Sequence, residues 1–171
     1  MQTDPQILAL LILICSSIFV VAWAYDAHTH AGISKQDISD PELKTHRILI
    51  LSSGMLQFTL LLFYWFDIEV LPIFLALLLT RTIHEVIDEV SYHQERCTFF
   101  ETVLHLIMWI SILSQIGFLF YWGFFFHYKG LASLPMLYFV WGLLLVLAMG
   151  FIGLKEWFLG LEKKQDQNRE Q

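Results

Sequence analysis

Five apolar runs, at about 6–24, 46–66, 70–92, 98–122 and 133–158, take up most of this 171-residue chain. Each is close to the roughly 20 residues that a helix needs to cross a hydrocarbon core about 30 Å thick. Inside such a core every backbone N–H and C=O must be satisfied within the segment, so an apolar run of this length has to be a helix. The expected fold is an all-α integral membrane protein, a single bundle of about five transmembrane helices over residues 1–162. A polar, solvated tail is expected at 163–171. Composition agrees, with 57% apolar and only 15% charged side chains and a mean hydropathy of +0.60, which is too apolar for a soluble domain of this size.

Five crossings put the two ends of the chain on opposite sides of the membrane. The 25–45 loop, the 93–97 turn and the C-terminal tail carry Lys35, Lys44, Arg47, Arg96, Lys155, Lys163, Lys164 and Arg169, whereas the other side has Lys129. The positive-inside bias therefore places the N-terminus outside and the C-terminus in the cytoplasm. Tyr64, Trp65, Phe66, Tyr121, Trp122 and Phe124–Phe126 gather at the opposite boundary, as an aromatic belt would. A signal-peptide reading of Ala22-Trp23-Ala24 is disfavoured because no positive charge precedes the first run. Cys15 and Cys97 form no metal-binding or redox repeat. The net charge of −6 and the lack of a basic stripe exclude nucleic acid as a partner. Membrane lipids, a lipid substrate and partner membrane subunits are the expected company. Ahead of the second run, Asp40-Pro41-Glu42 reads as a cap, a first-turn proline and an early acid.

Ionisable residues are costly inside a membrane, so their pattern is informative. Four acid-to-histidine pairs share one spacing: Asp26 with His30, Glu42 with His46, Glu89 with His93 and Glu101 with His105; His84 and Asp88 form a fifth in reverse order. Residues four apart lie on one helix face about 6 Å apart, where they can chelate one metal or let a carboxylate orient an imidazole. The third run ends in Arg81, His84, Glu85, Asp88, Glu89, Tyr92 and His93. With His84 at 0°, Asp88 falls near 40°, Arg81 near 60°, Tyr92 near 80°, Glu85 near 100° and Glu89 near 140°, about half of the helix circumference. Such a face must look into the bundle. Two further stripes are expected to meet it, Glu101, His105, Met108, Ile112 and Gln115 on the fourth helix and His46, Ser53, Gln57 and Tyr64 on the second.

Imidazoles and carboxylates gathered at one depth suit divalent iron, manganese or zinc, with iron favoured. The expected metal ligands are His84, Asp88, Glu89, His93, Glu101, His105, His46, His28 and His30. Glu85 is the candidate proton donor, Tyr92 a hydrogen-bonding group at the reaction centre and Arg81 the charge balance, paired with Glu85 or Asp88. The function expected from this set is a membrane metalloprotein with one or two metals near the cytoplasmic face, an iron-dependent oxidoreductase acting on a lipid or other apolar substrate. The alternatives are a zinc-dependent lipid hydrolase and a non-enzymatic accessory subunit with a buried proton-relay network.

Overall fold

The computed structural model describes residues 4–33, 39–66, 68–93 and 98–169. Five α-helices follow one another: α1 (Pro5–Ile33), α2 (Asp40–Leu62), α3 (Leu71–Asp88), α4 (Phe99–Phe126) and α5 (Met136–Arg169). No strand occurs among the described residues. Five helical segments are long and apolar enough to cross a membrane, namely Pro5–His28, Asp40–Leu62, Ile68–Tyr92 (α3 with its flanking turns), Phe99–Phe126 and Met136–Phe158. The chain is an all-α bundle of the expected type.

Local chemistry sets the helix ends. Ser39 caps α2 and Thr98 caps α4, each in a reciprocal capping box with the acid three residues on, Glu42 and Glu101. The two boxes satisfy amide donors that the first turn of a helix leaves free. The expected cap at Asp40 is thus one residue late: Asp40 already lies inside α2, ahead of Pro41. The 25–45 segment expected as a loop is largely helical, because no glycine or proline interrupts the chain between Tyr25 and Ala31 and α1 continues to Ile33. Asp26 therefore sits on a helix, buried at 8% exposure. At the far end of α3 the α-geometry gives way to a π-turn over Glu89–His93, a distortion often found at functional sites.

The helices pack as two groups. α1 lies chiefly along α4 and also along α5, while α2 lies along α3 and more lightly against α4. α5 is peripheral, with most of its apolar side chains exposed on the lipid-facing surface. One end of the bundle, where α2 runs into α3 and α4 into α5, is closed by aromatic packing. Phe63 is fully buried and meets Phe74, Phe120 and Phe124 edge-on at 5.5–5.9 Å between ring centres. Phe120 stacks on Phe74 at 4.8 Å and on Phe124 at 5.1 Å. Offset and edge-on geometries of this kind add to simple area burial.

The turn after α4 ties this end together. His127 (φ 46°) and Tyr128 (φ 53°) both adopt the left-handed conformation, which costs non-glycine residues about 1–2 kcal/mol each. Their side chains recover that cost at the end of α2, where the last carbonyls lack helical donors. The Tyr128 hydroxyl donates to the Leu60 carbonyl at 2.8 Å and His127 Nδ1 donates to the Phe63 carbonyl at 3.2 Å. Burial raises the Tyr128 phenol above the ordinary tyrosine range, so it stays a donor. Gly123 is required beneath it, because a Cβ there would come within 2.9 Å of the tyrosine ring.

Candidate functional site

Between the two helix groups lies a cavity of about 1160 Å³ lined by all five long helices. Its middle is apolar, with Ile12, Phe19, Ile50, Phe58, Ile112 and Met149 among the lining residues. Polar groups enter from the end opposite the aromatic plug. Asp26 late in α1, His46 early in α2, Asp88 and Glu89 at the end of α3, His105 early in α4 and Glu156 late in α5 all line it. The antiparallel succession of helices brings these positions, scattered over 130 residues of sequence, to one depth.

His105 is the centre of this end. Its Nδ1–H donates to Glu89 Oε2 at 2.9 Å and its Nε2–H to Asp26 Oδ1 at 3.2 Å, so three helical segments are joined through one ring. Carboxylates only accept, and both ring nitrogens donate only in the imidazolium form. His46 makes a parallel ion pair with Asp88 at 3.1 Å, linking α2 to α3. Glu156 accepts from the Trp23 indole at 2.9 Å, linking α5 to α1. Gly153, one turn earlier, faces the same contact: a Cβ there would crowd Trp23 at 3.3 Å and touch Ile50 at 3.5 Å. Above Trp157, the Arg47 guanidinium stands 5.5 Å from the ring centre.

Nearer the middle of the bundle a second polar layer spans the cavity. Arg81 is buried at 5% exposure, pairs with Glu85 one turn on, and donates from Nε to Ser53 Oγ at 3.1 Å. Gln57 and Gln115 exchange amide hydrogen bonds at 3.1 and 3.4 Å across α2 and α4. The ion pair and the amide exchange give these groups partners that lipid could not.

The structure sorts the expected residues into distinct sets. Asp88, Glu89, His46, His105, Arg81 and Glu85 line the cavity together. His84 does not; its Nδ1 faces the Thr80 carbonyl of its own helix at 2.9 Å. Glu101 serves the α4 capping box, with its Oε2 accepting from the Thr98 amide at 2.6 Å and the Thr98 hydroxyl at 2.9 Å. His28 is exposed at the end of α1. Tyr92 sits in the π-turn, half-buried and outside the cavity lining. The side chains of His30 and His93, and all of Cys97, lie outside the described residues. Of the polar stripe on α2, His46, Ser53 and Gln57 face the cavity, whereas Tyr64 falls beyond the helix and is exposed, because α2 ends at Leu62. Glu156 was missed by the sequence pattern, although an acid inside an apolar run is itself a signal.

The metal centre expected at this depth requires correction. Among the described residues no three His, Cys, Asp or Glu side chains are placed to hold a metal ion. The reason is visible in the geometry. The acid-to-histidine spacing suggested chelation along single helices, but the imidazoles of His46 and His105 are turned toward carboxylates on neighbouring helical segments, and both nitrogens of His105 are used in this way. His84 and Glu101, expected as ligands, are engaged by Thr80 and Thr98. The expectation of an iron-dependent oxidoreductase, and of its zinc counterpart, rested on that centre and is withdrawn with it. Ion pairs between helices, an apolar cavity and an acidic end are the features that a functional reading has to use. Comparison with family models, with curated proteins and with solved structures returns no match.

Proposed function

We propose that this membrane bundle binds an amphipathic molecule drawn from the bilayer, with its tail along the apolar walls of the cavity and its head group at the His105 end. The observation that carries this reading is polarity graded along one cavity, from Ile12, Phe58 and Ile112 to Asp26, His46, Asp88, Glu89, His105 and Glu156. A volume of about 1160 Å³ exceeds the roughly 300–1,000 Å³ of sites for compact small molecules, leaving room for a long chain. Phe58 and Leu61 on α2 and Val146 and Leu154 on α5 line the cavity and are also exposed on the outer surface. Since α2 and α5 touch only sparingly, the seam between them supports lateral access from lipid.

Two glycines at that seam supply the test. A Cβ built on Gly54 or on Gly150 meets nothing within 4 Å, and both residues line the cavity. The double substitution Gly54→Phe, Gly150→Phe should fill the space while leaving helix content and thermal unfolding close to the parent protein. Mass spectrometry of an organic extract of the purified protein should then show a stoichiometric amphiphile in the parent and none in the variant. Equal recovery from both, or none from either, would refute the reading.

The head-group end belongs on the cytoplasmic side in this proposal, because the basic residues Lys44, Arg47 and Lys155 flank it. A reporter fused after Gln171 should be active in a form that works only in the cytoplasm. Activity of an exported reporter at the same position would reverse the orientation.

A further inference from the structure

The polar belt in the middle of the cavity keeps hydrogen-bond donors that the protein does not use. Arg81 is 5% exposed and lines the cavity. Its Nε donates to Ser53 and its Nη2 pairs with Glu85, while Nη1 has no acceptor among the described residues. Gln57 and Gln115 stand on the same wall and give one amide N–H each to their exchange. Every carboxamide carries two N–H groups, and the second of each glutamine meets no acceptor among the described residues. An unpaired N–H held away from water is costly, more so than a carbonyl with one idle lone pair. Hydrocarbon chains supply no acceptor.

Depth places these donors beside the body of an occupant and not at its end. Arg81 precedes Asp88 on α3, and Ser53 follows His46 on α2, by two turns in each case, about 10 Å along the axis. Gln57 is one turn deeper on α2, by about 6 Å. Beyond it the wall is apolar again at Ile12, Leu61 and Leu119. Charge narrows the kind of acceptor that fits. Glu85 already matches the guanidinium, so a carboxylate beside Arg81 would bring an unmatched negative charge into the bundle, whereas a neutral carbonyl takes the same N–H without that cost.

We infer that the occupant of the cavity is an acyl lipid, whose neutral carbonyl, between head group and chain, accepts hydrogen bonds from this belt with Arg81 Nη1 as its main donor. The chain then runs past Gln57 and Gln115 toward Leu61 and Leu119. This rests on the amphiphile-binding reading above and names the class of amphiphile that reading leaves open. A plain alkyl chain would leave the Arg81 and glutamine donors unpaired; an acyl linkage fills them.

The test uses the full chain in an alkyl maltoside, a detergent without carbonyls, and three probes that share one brominated chain. Two carry a glycerol head, joined by an ester or by an ether, and the third ends in a carboxylate. Bromine quenches Trp23, Trp109 and Trp157, which line the cavity. The ester should bind about tenfold more tightly than the ether, as one hydrogen bond from a charged donor allows, and more tightly than the carboxylate. Arg81→Met, Glu85→Leu removes the donor together with its counter-ion and should bring the ester down to the level of the ether. In the parent protein, the infrared stretch of an isotope-labelled ester carbonyl should move to lower wavenumber on binding, a readout that depends on no variant. An unshifted carbonyl, or equal binding of ester and ether that is lost in the Gly54→Phe, Gly150→Phe variant, would overturn the acyl assignment while preserving the cavity reading. Tightest binding by the carboxylate would overturn the assignment as well, making Arg81 an anion site. Absence of quenching by any probe would overturn both.

Discussion

Replacing His105 by alanine should lower the stability of the bundle by about 3 kcal/mol or more, the range found when one partner of a buried ion pair is removed. The imidazole stands between Asp26 and Glu89 at 3.2 and 2.9 Å. Without it Asp26, with a side chain only 11% exposed, keeps its charge in the bundle with no counter-ion from α4. Glu89 is 43% exposed, can turn toward water, and should contribute little to the loss. The double variant His105→Ala, Asp26→Asn should therefore recover a large part of the lost stability, whereas His105→Ala, Glu89→Gln should recover little. Unfolding in mixed micelles titrated with a denaturing detergent measures all three. Equal recovery in both double variants would mean that Asp26 is not the group left exposed to the cost.

Arg81 gives the second large effect, and here the pair lies within one helix. Arg81→Met should destabilise by about 3 kcal/mol, because Glu85 would remain charged beside apolar walls. Adding Glu85→Leu should restore stability to within about 1 kcal/mol of the parent, since a buried ion pair exchanged for apolar side chains of similar size is often neutral. Arg81→Lys should fall between, because an ammonium retains the charge but lacks the planar donor set that reaches Ser53 and Glu85 together. The same micelle titration decides. If Arg81→Met and the double variant were equally unstable, the guanidinium would matter for packing and not for charge.

These two predictions draw on information that the sequence held to different degrees. The number of helices, their approximate spans and the inward turn of Arg81, Glu85 and Asp88 on α3 follow from apolar length and a 3.6-residue period. Both are properties of one helix in one solvent. The Arg81–Glu85 contact is likewise local, since residues four apart are neighbours on any helix. His105 could not be read in that way. Its nearest acid in sequence register is Glu101, yet its ring nitrogens go to Glu89 and Asp26, while Glu101 closes a capping box. A carboxylate in the first turn has amide donors beside it in the same chain, and that local claim uses the acid that sequence spacing had assigned to the histidine. The same competition placed His84 on the Thr80 carbonyl.

Glu156 shows what no local rule contains. It enters the site because α5 packs along α1, where the Trp23 indole donates to it, a fact of helix packing and not of spacing. The sequence by itself determined that this chain is a membrane bundle of five helices, and which segments carry charge into it, because burying apolar length and satisfying backbone groups in lipid leave one solution. Only the tertiary structure decided which imidazole meets which carboxylate, that these groups form ion pairs between helices, and that an apolar cavity lies beside them. Those outcomes depend on the rotation and separation of whole helices, and many arrangements of comparable helix energy share one hydropathy pattern.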